Sequence, residues 1–245
     1  MLWYKAWRES RTRFLFSVLA IAGLCAGLVL YNKDARAAFA DKQLSYAEYI
    51  WRIVYHGGVR DIFVLSAVVL GLGGLLRERE QKTAGFALAL PISRWQWIVS
   101  RAAVGFAEVA VLSSLPALVL PAVSSFVHQT YPLSQALQFG LLWLVCGVLF
   151  FALGFFLSVV LAGEYVAGIV SLVSLVLYSL LVELPGMEKF LPDLYDVMSG
   201  AGMPYFRPQI SSLSGPLPLA LLATILLTAG AFVAITSSIC ARQDF

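Results

Sequence analysis

The sequence predicts an all-α polytopic membrane protein with six transmembrane helices, and three observations carry that prediction. Hydrophobic residues fill 60% of the 245 positions and charged residues only 13%, against about 45–50% apolar and about 25% charged in ordinary soluble domains. The apolar residues come in long stretches: between Ala102 and Gly163 the only Asp, Glu, Lys, Arg or His residues are Glu108 and His128. The apolar–polar alternation of a membrane barrel strand is missing, so helices are the elements left to satisfy the backbone in lipid. A soluble enzyme is excluded, and positions 1–245 read as one transmembrane domain.

A hydrocarbon core about 30 Å thick takes roughly 20 helical residues. Span one is placed at 14–31. Arg8, Arg11 and Arg13 ahead of it imitate a signal peptide, but the run exceeds the roughly 7–15 residues of a signal core, and Asn32-Lys33-Asp34 offers no small-residue cleavage site. Residues 1–13 combine Trp3, Tyr4 and Trp7 with Lys5, Arg8 and Arg11. That mixture suits an N-terminal interfacial elbow helix at the headgroup boundary, and it equally suits an ordinary basic flank with belt tryptophans. Span two is placed at 55–76, because 62–76 alone is short for a crossing. The stretch 102–163 must turn once, at His128-Gln129-Thr130-Tyr131-Pro132, which gives span three at 102–126 and span four at 134–161. Pro116 and Pro121 each remove a backbone hydrogen bond inside span three and predict a kinked or broken helix there. Span five follows at 165–183 and span six at 216–240. Between them, four prolines and four glycines mark 184–215 as an extracytoplasmic loop with short helices.

The net charge of +3 says less than its placement, since Lys and Arg near span ends set orientation. With the N-terminus cytoplasmic, Lys5, Arg8, Arg11, Arg13, Arg77, Arg79, Lys82, Arg94, Arg101 and Arg242 lie inside. Lys33, Arg36, Lys42, Arg52, Arg60, Lys189 and Arg207 lie outside. The bias favours both termini in the cytoplasm. Cys25, Cys146 and Cys240 all sit in apolar stretches, with no C-x-x-C spacing and no nearby His, so they read as buried structural thiols and no metal site is expected.

One segment between spans is strongly polar and longer than a connector needs. It runs Arg77-Glu78-Arg79-Glu80-Gln81-Lys82-Thr83 and then turns apolar around Phe86, Leu88 and Leu90 before Pro91-Ile92-Ser93-Arg94. Mixed charges followed by an apolar patch and a proline stop give a short amphipathic docking helix. Here the chain resembles the permease subunits of type-2 ATP-binding-cassette (ABC) exporters, whose loop between spans two and three has an acidic start, a Thr, an apolar patch and a Pro-x-Ser-Arg end. Glu78, Glu80, Thr83, Leu88, Leu90, Pro91, Ser93 and Arg94 match that pattern. Lys82 departs from it, standing where a glycine commonly precedes the threonine. The six-span order, basic N-terminus and elaborated loop before span six extend the resemblance over essentially the whole chain.

The resemblance implies that 77–94 is a cytoplasmic coupling helix seated on a separate ABC ATPase subunit, with Glu78, Glu80, Gln81, Thr83, Phe86, Leu88, Leu90, Pro91, Ser93 and Arg94 at the interface. It further implies a dimer of two permease copies, identical or not, in the inner membrane of a prokaryote, surrounded by lipid and binding no nucleic acid. This chain would bind no cofactor, and ATP and Mg would sit in the ATPase subunit. The turn at Ala162-Gly163-Glu164 reads as a second contact through Glu164, or simply as a helix end in which Gly163 caps one helix and Glu164 complements the positive start of the next. Glu108 lies at membrane depth, where a charge is costly and faces a partner or water. It reads as a pathway or gate residue, or as a carboxyl held by a neighbouring helix. There is no G-x-x-x-x-G-K-[ST] phosphate loop, since Gly71-Leu72-Gly73-Gly74 lies within a span and suits close helix packing instead. His56 and His128 lack a neighbouring nucleophile. A membrane-embedded enzyme and a non-transport scaffold are therefore the competing classes.

Overall fold

The computed structural model describes residues 2–31, 45–72, 94–161, 164–187, 192–203, 205–207 and 211–242. Six of its helices are long and apolar enough to cross a membrane. Helix α1 (Leu2–Tyr31) buries Phe14, Ser17, Ile21, Cys25 and Val29, a stripe at helical spacing that faces the other helices. Residues 2–13 are the first turns of this same helix and not a separate elbow, and Trp3 and Tyr4 on those turns are exposed. At about 1.5 Å per residue α1 is roughly 45 Å long, well beyond the hydrocarbon core of about 30 Å.

The second span starts earlier than its hydropathy suggests. A short helix α2 (Tyr46–Ile50) runs into a π-helical turn (Trp51–Tyr55), followed by α3 (Gly58–Gly71). Together 46–71 make a candidate span of 26 residues. Ser45 caps α2 by accepting from Glu48 N–H at 3.2 Å, and Glu48 holds Arg52 one turn on at 2.7 Å. These charges hide a helix from a hydropathy reading. The break falls at Gly57, where an added Cβ would lie 2.7 Å from the carbonyl oxygens of Arg52 and Ile53.

Helix α4 (Arg94–Phe126) begins eight residues ahead of the expected span and runs unbroken through Pro116 and Pro121, so the expected helix break does not occur. The prolines free the carbonyls of Leu112 and Ala117, four residues back, and in lipid there is no water to favour opening the turn. The chain reverses through Val127–Pro132, with His128 at φ 56, into α5 (Leu133–Val160). Helix α5 is buried nearly all round and packs against α3, α4 and the last helix, so it is the axis of the bundle. Helix α6 (Glu164–Val182) is peripheral and turns Val173, Val176 and Leu180 outward.

After α6 come the short helix α7 (Leu194–Ser199), a two-stranded hairpin of β1 (Phe206–Arg207) and β2 (Ser212–Leu213), and α8 (Leu219–Arg242). The hairpin adds strands that the sequence reading did not foresee. Side chains moor this region to the bundle. Gln135 of α5 imitates a strand, donating to Leu213 O at 2.8 Å and accepting from Leu213 N at 3.0 Å. Trp51 donates to Ser199 O at 2.7 Å, and Asp193 caps α7 by accepting from Tyr195 and Asp196 N–H.

Candidate functional site

The first turns of α1, the end of α3 and the start of α4 meet at one end of the bundle. On α1, Arg13 lies one turn beyond Ser10 and Glu9, at the three- and four-residue spacings that make side chains neighbours on a helix. Glu9 forms an ion pair with Arg101 of α4 at 2.6 Å, and the Arg101 guanidinium also lies over the Trp97 ring, 5.6 Å from its centroid. The Ser10 hydroxyl donates to Oε1 of Glu108. Arg13 donates to the carbonyl of Leu72, so a cation completes the C-terminal end of α3 where the helix leaves its last carbonyls unpaired and carries partial negative charge.

Glu108 itself is 3% exposed. One of its oxygens is bound by Ser10, while Oε2 finds no partner among the described residues. Ser10, Arg101 and Glu108 line a recess of about 10 Å³ beside it, room for about one water. The residue is therefore held against α1, and Arg101, its nearest basic neighbour along the helix, is engaged by Glu9. Among the described residues no group of three His, Cys, Asp or Glu could hold a metal ion. The three cysteines are buried.

The polar face of α1 grips both helices that bound the segment 73–93. That segment lies outside the described residues, and with it Glu78, Glu80, Gln81, Thr83, Phe86, Leu88, Leu90, Pro91 and Ser93. Arg94 is the first residue of α4 and Glu164 the first of α6. Of the sequence-predicted residues, Glu108 is thus the one whose surroundings are defined. Its partner Ser10 and the Glu9–Arg101 pair went unread, although Arg101 and Glu108, seven positions apart, share a helix face.

A polar inter-helix network in a six-span bundle fits several kinds of membrane protein. The family comparison decides between them: a model described as "ABC-2 family transporter protein" matches residues 14–194, from span one through the start of α7. The chain belongs to the ABC-2 family. Comparison with curated proteins finds no match. As an ABC-2 protein with six apolar helices the chain is a multi-pass membrane protein with a transport permease role. Its polar network lies where the ends of the second and third spans approach the first.

Proposed function

We propose that this ABC-2 protein is the transmembrane subunit of an ATP-driven exporter, that two permease copies form the translocation pathway, and that a separate ABC ATPase subunit docks on 77–94. One observation carries the reading: α1 braces, through Glu9–Arg101 and Arg13–Leu72, the two helices from which that polar segment springs. A segment meant to transmit force needs firm roots. Movement imposed on it would pass into α3 and α4 as rigid elements rather than being absorbed by loose helix ends.

In this account ATP and Mg are held by the ATPase subunit, and closure of the ATPase pair pushes on Glu78 to Arg94. Glu78 and Glu80 supply charge to the contact, and Phe86, Leu88 and Leu90 supply its apolar side. Glu164, at the start of α6, forms a second contact on the same side. Both termini then lie in the cytoplasm, in the inner membrane of a prokaryote. Glu108 acts at the inner gate, between α1 and α4. The test is co-purification with a candidate ABC ATPase subunit co-expressed with this chain, comparing wild type with Glu78→Ala/Glu80→Ala. The expected result is at least about a hundredfold loss of binding, since removing two charge-assisted contacts costs about 1.5–3 kcal/mol each. Unaltered binding and ATP turnover would refute the docking assignment.

A further inference from the structure

Between α6 and α8, over the flank of α5, lies a half-open cleft of about 480 Å³. Leu149 and Leu153 form its floor, and Leu175 and Ile225 its walls. One end is closed by Pro192 and Leu194, which Tyr178 fixes by donating to Pro192 O at 2.6 Å and accepting from Leu194 N at 2.9 Å. Ser174 and Tyr178 stand roughly 15–20 Å from the Glu164 end of α6 at about 1.5 Å per residue. The cleft is therefore at membrane depth, with hydrocarbon as its solvent.

Its polar atoms make no demand on a ligand. Ser174 donates to Val170 O at 2.7 Å, Thr224 to Leu221 O at 2.7 Å and Thr228 to Thr224 O at 2.8 Å. Water gains little in such a lining, because a stable buried water needs two to four polar partners. A cleft half-open to the bilayer is filled instead by the apolar medium around it, the hydrocarbon of lipid chains. We propose that the cleft is a binding site for one acyl chain of a membrane phospholipid, wedged between spans five and six. This differs from the outward face of α6, where Val173, Val176 and Leu180 are 58%, 59% and 57% exposed and lipid contacts are open on all sides.

The test uses the full chain in nanodiscs of phosphatidylethanolamine and phosphatidylglycerol, a fraction of the lipid carrying a diazirine near the end of one acyl chain. The sample is exchanged into lipid-free detergent before irradiation, and the labelled residues are mapped by mass spectrometry. Labels should persist on Leu153, Leu175 and Ile225 and fall at least tenfold on Val173 and Leu180. Thr228→Trp and Ser174→Phe, which fill the cleft from either wall, should each remove the persistent labels, whereas Leu180→Trp should leave them. Equal loss from cleft and outer face on exchange would overturn the proposal. So would a cleft that stays unlabelled before exchange, as it would if another part of the chain or a second copy occupied it.

Discussion

Arg101 of α4 meets Glu9 of α1 at 2.6 Å, with the two side chains only 12% and 25% exposed. A pair this sheltered is less screened than a surface ion pair. Truncating either residue leaves the other's charge short of a partner, so Glu9→Ala and Arg101→Ala should each lower stability by about 1–3 kcal/mol. The exchange Glu9→Arg/Arg101→Glu should recover part of the loss. Thermal unfolding in detergent reads this directly, and full stability in both single variants would show that the pair does not hold α1 to α4.

Glu108 accepts from Ser10 through Oε1 while Oε2 has no partner among the described residues. Glu108→Gln keeps an acceptor for Ser10 and removes a buried ionisable group, so it should change stability by less than about 1 kcal/mol. Glu108→Ala opens a cavity and strands the Ser10 hydroxyl, at an expected cost of about 2–4 kcal/mol. Denaturant unfolding of the purified protein should place the Ala variant clearly below the Gln variant. The reverse order would show that the carboxylate charge itself stabilises the fold.

Helices α3 and α5 approach through two glycines. A Cβ at Gly71 would stand 2.4 Å from Phe151 O and 2.7 Å from Phe155 N, and one at Gly154 would stand 2.5 Å from Val68 O. These neighbours are backbone and cannot turn aside. Gly71→Ala and Gly154→Ala should each cost about 1–3 kcal/mol by forcing the helices apart, whereas Gly27→Ala on α1, with nothing within 4 Å, should be nearly neutral. Comparing the melting temperatures of the three variants checks the contact.

Asp196 of α7 has its pKa raised above the ordinary 3.8 by burial first and by the neighbouring Asp193 second, against opposing effects of His56 and Arg60. As pH climbs from 3.8 through the raised value, the unfolded chain surrenders its proton before the folded one. The folded state then binds more protons, and stability falls as pH rises through that interval. Asp196→Asn should flatten this part of the stability–pH profile, measured by thermal unfolding across the carboxylate range. A profile unchanged by the substitution would remove Asp196 as its source.

Hydropathy made the bundle legible, because lipid demands a length of apolar helix that few other structures require. It failed at ends that leave the hydrocarbon. Hydropathy starts span two at 55 because Glu48 and Arg52 interrupt the apolar pattern, yet Ser45-Tyr46-Ala47-Glu48 carries the Ser-x-x-Glu spacing of a helix start. The prolines of α4 predict a break by the rules of water-exposed helices, which a hydrocarbon surrounding relaxes. The β1–β2 hairpin depends on Gln135, 78 residues from Leu213, a contact that no local pattern announces. At the candidate site Glu108 stood out because charges are rare at that depth, whereas Glu9, Ser10 and Arg13 were hidden in a basic flank, and only the approach of α1 to α3 and α4 gives them partners.

The most direct measurement is site-specific photocrosslinking from the segment between α3 and α4. A benzoyl-phenylalanine at Phe86 or Leu88, in the complex purified with its ATPase, should form a covalent adduct with the ATPase subunit, and one at Tyr205 beside the hairpin should not. Absence of an adduct from both Phe86 and Leu88, or an ATPase adduct from Tyr205 instead, would contradict the account.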